Sequence, residues 1–200
     1  MVDVDGVVVT PPPGGWAANL KEDLGLSRTV LDEHFFKPHW RDVVEGRAGL
    51  RERLGPVLAE HAPHLSCDAL TTYWFAKDAV LDLALLKALA NLRSHGVALH
   101  LATVQEHLRA AYLWIRLGLN QQFDAMHYSA DLGCAKPDAA FFEAIVQRTG
   151  LAPAQIALLD DKSENVEGAR AAGWGGALWD GTGRLAEVLA RERIAIGGVL

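Results

Sequence analysis

Two carboxylates, Asp3 and Asp5, stand inside the valine-rich opening MVDVDGVVV. An ionised carboxylate among apolar neighbours is costly unless it is paired, hydrogen-bonded or bound to a metal. The stretch therefore reads as either the lip of a reaction site or an unusual surface strand. Groups of matching chemistry follow downstream: Thr103 in LATVQE, Lys136 in GCAKPD, and Asp160 with Asp161 in ALLDDKSEN. The set points to phosphoryl transfer around a divalent cation. Crowded carboxylates raise one another's pKa, and Mg²⁺, which prefers hard oxygen ligands together with water and substrate phosphate, removes that conflict. One carboxylate is then spared as a nucleophile that forms an aspartyl-phosphate. A second, one strand period away on the same face, can shuttle the proton. Thr103 stands where a helix begins, a position that favours anions, and Lys136 adds a positive point charge near the phosphate.

The elements that must deliver these groups follow from hydrophobic periodicity. Residues 2–9 are rich in valine and read as a strand running into a turn at Gly6, followed by the breaker TPPPGG. WAANLKEDLGL, SRTVLDEHFF, GLRERLGPVLAEHA and CDALTTYWFA then place apolar residues at three- and four-residue spacings, with no strand between them. Another helix is expected over residues 81–96. From there the pattern alternates. Strands are expected at 97–103, 123–129, 156–160 and 175–180, with helices at 106–118, 136–150, 163–173 (Ser163 as its cap) and from Arg184 onward. Strands alternating with helices imply βαβ units and a parallel sheet covered on both faces. Ligands of such sheets gather at the carboxyl ends of the strands, where all six polar residues fall. The expected fold is thus α/β, a Rossmann-like core of residues 1–12 and 82–200, with a small helical subdomain of residues 13–81 inserted after the first strand.

The composition narrows the classes. Half of the 200 residues are hydrophobic and 22% are charged, enough for a packed core. A net charge of −6 argues against an electrostatic grip on nucleic acid or on an anionic membrane. The two cysteines, Cys67 and Cys134, form no CxxC pair and fit a reducing compartment. No run approaches the ~20 apolar residues of a membrane span, and the start lacks the basic and apolar regions of a signal peptide. The expected location is cytoplasmic and the expected partner a small phosphorylated metabolite, with the oligomeric state open.

The order Asp-x-Asp, Thr, Lys, Asp-Asp resembles the haloacid dehalogenase superfamily of hydrolases over essentially the whole chain. DVDGVVV, ATVQE, the lysine of GCAKPDAAFF and LLDDKSENVEGARAAGW are similar to its four motifs in order. The resemblance implies Asp3 as nucleophile and Asp5 as general acid and base. It implies Mg²⁺ held by Asp3, the backbone carbonyl of Asp5, Asp161 and Asp160, the last through water. It also implies Thr103 and Lys136, with Gly6 beside them, on the transferring phosphoryl group, and residues 13–81 as a helical cap. The chain departs from the family at two places. Only Met1 and Val2 precede Asp3, where a longer apolar strand is usual, so either the start is set late or the fold tolerates a short central strand between those ending at Thr103 and Asp160. Val7 stands where many members have threonine.

The leading expectation is Mg²⁺-dependent hydrolysis of a small phosphomonoester. A carbon–halogen hydrolase on the same fold is disfavoured because the resembling branch lacks the second aspartate, and Asp5 is present. A phosphomutase needs a second phosphate site, of which the cap shows no sign. A signalling receiver domain would carry its acidic pair first rather than last. A non-catalytic binding protein would not be expected to keep all six positions competent. Plainer readings exist for single residues: Thr103 and the Asp160–Asp161 pair as helix caps, Lys136 as a surface lysine. The histidines His34, His39, His61 and His64 lack the partners of a zinc site.

Overall fold

Valine favours extended backbone, and the opening residues occupy the centre of a parallel sheet. The computed structural model describes residues 1–194; the expected core segment beyond residue 194 lies outside the described residues. Among the described residues six strands are formed: β1 (Val9–Thr10), β2 (Val80–Leu81), β3 (His100–Thr103), β4 (Ala125–Tyr128), β5 (Ala157–Asp160) and β6 (Gly175–Leu178). β3 pairs with β4 and β5 with β6, both in parallel. Val2 bridges Leu101 on one side and Leu159 on the other, also in parallel. The spatial order is therefore β4, β3, the Val2 segment, β5, β6. Short as it is, that segment is fully laddered. Val2 N–H donates to His100 O at 2.9 Å and Asp3 N–H to Leu159 O at 2.9 Å, while Ala102 and Leu159 return bonds to Val2 O and Met1 O at 2.9 and 3.0 Å.

The strand alternation sorts the core into two layers. Leu101, Leu159 and Ala177 face one side, where they meet Leu85 and Leu89 of α6 (Leu83–Ser94) and Val188 of α11 (Leu185–Arg191). Ala102 and Leu158 face the other, against Phe141, Phe142 and Ile145 of α9 (Ala139–Thr149) and Ala169 of α10 (Ser163–Ala171). Ser163 is the first helical residue of α10 and not its cap, which is Lys162. Below the sheet, at the amino ends of β3 and β5, a cavity of about 360 Å³ is lined by Met1, Leu99, Leu158, Leu185 and Ile194. The Met1 amine donates to Ala157 O at 2.7 Å, and burial lowers its pKa to about 5.

The expected strand over residues 2–9 is broken. Gly6 adopts φ +83°, Gly6 N–H donates to Val9 O at 2.8 Å, and Val7 and Val9 N–H both donate to Val4 O. The chain turns tightly, and Val9–Thr10 runs antiparallel to Val80–Leu81, a strand that helical periodicity did not reveal. Both are two residues long, too short to carry a sequence pattern. Between this ribbon's two arms lie α1 (Leu20–Leu24), α2 (Arg28–Leu31), a π turn (Asp32–Phe36), α3 (Lys37–Val44), α4 (Leu50–His61) and α5 (Cys67–Lys77). Ser27 and Ser66 cap α2 and α5 through Val30 and Ala69 N–H. These helices bury an apolar cluster of their own around Leu20, Phe35, Leu54 and Trp74, in which Trp16 stacks on Trp74 with centroids 5.0 Å apart. Among the described residues no helix is long and apolar enough to cross a membrane.

Candidate active site

The carboxyl ends of three neighbouring strands bring Asp3, Thr103 and Asp160 together, because all three strands run in parallel and end at the same edge. Asp160 closes β5 and is fully buried. Its Oδ2 accepts from Lys136 Nζ at 2.5 Å, and its Oδ1 accepts from Lys162 N–H and Asn165 Nδ2, each at 2.9 Å. Asp3 Oδ1 accepts from Val4 N–H at 2.8 Å and lies 3.0 Å from Lys136 Nζ. Lys136 also donates to Ala102 O at 2.8 Å. Of the three protons a buried ammonium has to place, two are thus held by Asp160 and Ala102, and the charge faces Asp3. Lys136 is a buried cation and not a surface lysine.

Asp161 completes the acidic cluster. Asp3, Asp160 and Asp161 each offer an oxygen within 4.8 Å of the others, and Asp161 Oδ1 is buried with no hydrogen-bond partner. Burial raises the Asp3 pKa to about 6, helped by repulsion from Asp160 and Asp5 and opposed by Lys136 and the Val4 N–H. Burial and Asp160 push Asp161 upward as well. An all-oxygen cluster with repelling charges and one unsatisfied acceptor fits a hard divalent cation. Asp160, with both oxygens already bonded, serves first to hold Lys136 and the start of α10.

Gly6 contributes space. Its N–H is spent on Val9 O, while a Cβ at this position would overlap the Asp161 carboxylate. Thr103 is 1% exposed, with its hydroxyl 3.4 Å from Gln105 Nε2. Asp5 lies apart from the buried trio, exposed to solvent. Its Oδ2 accepts from Gln105 Nε2 at 2.7 Å, and its Oδ1 is 3.7 Å from Arg109 Nη2. Gln105, Arg109 and Asn165 are functional neighbours that the motif reading passed over. No spacing rule marks Gln105 and Arg109 as a pair, since Gln105 precedes α7 (His107–Ala111) and Arg109 lies within it.

Comparison with known proteins identifies the family and the fold. A family model of haloacid dehalogenase-like hydrolases matches residues 2–173. A protein of Mycobacterium tuberculosis named as a phosphatase is 29% identical over 56% of this chain, and the match spans 52% of that relative, about half its length. A phosphorylated carbohydrates phosphatase of Thermotoga maritima is 25% identical over 86% of this chain and 79% of its own. Among solved structures, a HAD family enzyme of Bacteroides thetaiotaomicron, in complex with magnesium and inorganic phosphate, superposes with a TM-score of 0.78. The match covers 93% of this chain and 96% of that one at 16% identity, a likeness of fold alone.

Proposed function

The chain belongs to the haloacid dehalogenase-like hydrolases, and from that premise we propose that it is a Mg²⁺-dependent phosphatase acting on a small phosphomonoester through an aspartyl-phosphate. The observation that carries the proposal is the buried Asp3 carboxylate, flanked by Lys136 at 3.0 Å and by an acidic cluster with an unsatisfied oxygen on Asp161. The phosphatase names of two relatives support the same reading.

In this reading Asp3, the Asp5 carbonyl and Asp161, together with Asp160, would hold Mg²⁺. When bound, it supplies charge neutralisation to the carboxylates and to the phosphoryl oxygens. Asp3 attacks phosphorus in line. The Val4 N–H and Lys136 keep its attacking carboxylate in one orientation. Lys136 and the Thr103 hydroxyl bind the transferring group, and because both are buried their dipoles need no reorganisation when charge develops. Asp5 protonates the leaving alcohol and then takes a proton from the water that cleaves the aspartyl-phosphate. The helical block between Thr10 and Val80 acts as a cap that excludes water from the first step and shapes the substrate pocket. Two free cysteines fit a reducing, cytoplasmic setting.

The test is release of p-nitrophenol from p-nitrophenyl phosphate with Mg²⁺ and with EDTA, for the wild type and Asp3→Asn. Metal-dependent turnover that disappears in the variant is the expected result. Turnover equal in the variant would remove Asp3 as nucleophile.

A further inference from the structure

Arg109 is a buried cation for which the phosphatase mechanism has no use. It lies in α7 (His107–Ala111) with its side chain 3% exposed. Burying a guanidinium requires partners for its charge and its five donors, and those partners come from two separate parts of the chain, the end of α5 and the residues just after the central Val2 segment. Nη1 donates to Phe75 O at 3.1 Å. Nη2 donates to Asp78 O and lies 3.6 Å from Asp78 Oδ2. The same Nη2 is 3.7 Å from Asp5 Oδ1. The guanidinium also lies over the rings of Phe75 and Tyr112, 5.4 and 5.7 Å from their centroids.

The location gives these contacts their meaning. Phe75 is in the last turn of α5, and Asp78 ends that helix. Two residues later the chain enters β2, which pairs with β1 just beyond the Gly6 turn. Arg109 therefore sits at the root of the ribbon that carries the helical block, bonded to the block's returning arm on one side and facing the Asp5 carboxylate on the other. Gln105, just ahead of α7, holds the second oxygen of Asp5 at 2.7 Å. Its own main chain is anchored, since Gln105 N–H donates to Ser129 Oγ at 3.0 Å. Asp5 is thus gripped at two points, one fixed to the core and one tied to the arm of the block.

We infer that Arg109 is a positioning residue that aims the Asp5 carboxylate and makes its placement depend on the returning arm of the helical block. The inference rests on the phosphatase reading above. Displacing the arm draws Phe75 O and Asp78 away from the guanidinium, and Arg109 cannot follow them and stay within reach of Asp5. Gln105 alone then leaves Asp5 free to rotate. Proton delivery to the leaving group is in this way confined to the arrangement in which the arm is seated.

The test uses the Mg²⁺-loaded full chain with two aryl esters. p-Nitrophenolate leaves with little help from an acid, whereas phenolate needs a proton. In Arg109→Gln the expected result is a kcat/KM on phenyl phosphate lowered by about tenfold or more and a kcat/KM on p-nitrophenyl phosphate lowered far less, since kcat/KM reports the steps up to departure of the leaving group, whereas kcat also contains the Asp5-assisted hydrolysis of the aspartyl-phosphate and falls on both esters. Arg109→Lys, which keeps the buried charge, should recover part of the loss, and it is the variant to read where Arg109→Gln is too unstable. An equal fall in kcat/KM on both esters, or a kcat left intact on both, would overturn the inference. Amide hydrogen exchange supplies a readout independent of turnover. The variant should exchange faster than the wild type in both residues 76–82 and residues 4–9, and unchanged protection in either segment counts against the tether. A wild type inactive on both esters speaks against the phosphatase reading, and exchange then decides the fate of the tether alone.

Discussion

The two ends of β3 hold buried polar groups in opposite ways. At the carboxyl end, beside Thr103, the cluster of Asp3, Lys136 and Asp160 is buried together, with Lys136 bonded to Ala102 O and Asp160 and its charge facing Asp3. At the amino end, His100 Nδ1 reaches Nε2 of His127, which stands two residues further along the neighbouring strand β4, at 3.0 Å, and desolvation lowers both pKa values, that of His127 to about 4. Beside that pair the sheet borders on an apolar cavity. The difference lies in the available partners. Parallel strands gather acidic side chains, the Lys136 ammonium and the first turn of α10 at one edge, where ions can be compensated. Among the described residues His100 and His127 have only each other as side-chain hydrogen-bond partners, and burial without a bonded acid favours the neutral imidazole.

Five experiments would sharpen or break this contrast. The largest effect is expected for Asp3→Asn, which should lower Mg²⁺-dependent turnover by about a thousandfold or more. Asp5→Asn should still form a phosphoenzyme from p-nitrophenyl phosphate and hydrolyse it slowly, which rapid-quench phosphate trapping would record. Lys136→Met leaves Asp3 and Asp160 buried without their cation. Removal of one partner of a buried ion pair costs about 3–5 kcal/mol, to be read from urea denaturation at pH 7.5; an unchanged midpoint would refute the account of the charged edge.

The neutral edge is tested by pH. His127 titrates near 6.5 when unfolded and near 4 when folded. Between these values the unfolded chain binds the extra proton, so stability falls as pH drops through this window. The loss reaches roughly 2–3 kcal/mol near pH 4.5, and His127→Gln should show a correspondingly shallower acid slope in the same denaturation series. His100, Arg148 and Asp131 act on the same ring, and a slope unchanged in the variant would assign the acid loss to other groups. The smallest effect belongs to Gly6→Ala. A left-handed φ costs a β-carbon about 1–2 kcal/mol, and the methyl group would displace Asp161. The expected outcome is a modest fall in melting temperature with a larger rise in the Mg²⁺ concentration needed for half-maximal activity.

Much of this was legible in the residues. Apolar runs and their glycine and proline boundaries marked the sheet strands β3 to β6 and the helices that cover them, because burial on two faces imposes composition as well as period. The acids, Thr103 and Lys136 were legible as a set because each was assigned to the carboxyl end of an expected strand or to the loop after it, and parallel strands share one carboxyl edge. The β1–β2 ribbon was not legible, since two-residue strands carry no period and their pairing depends on chain segments about seventy positions apart.

The amino-acid sequence by itself determined the α/β class, the edge at which chemistry would collect and the residue types there, since these follow from local periodicity and connection rules. Only the tertiary structure decided how the carboxylates divide. Asp3 and Asp5 are two residues apart, yet one is dry and locked to Lys136 while the other is wet and held between Gln105 and Arg109. No local pattern encodes that split. It arises because the central strand ends at Asp3 and the Gly6 turn lifts Asp5 out of the sheet, toward the arm on which the helical block returns.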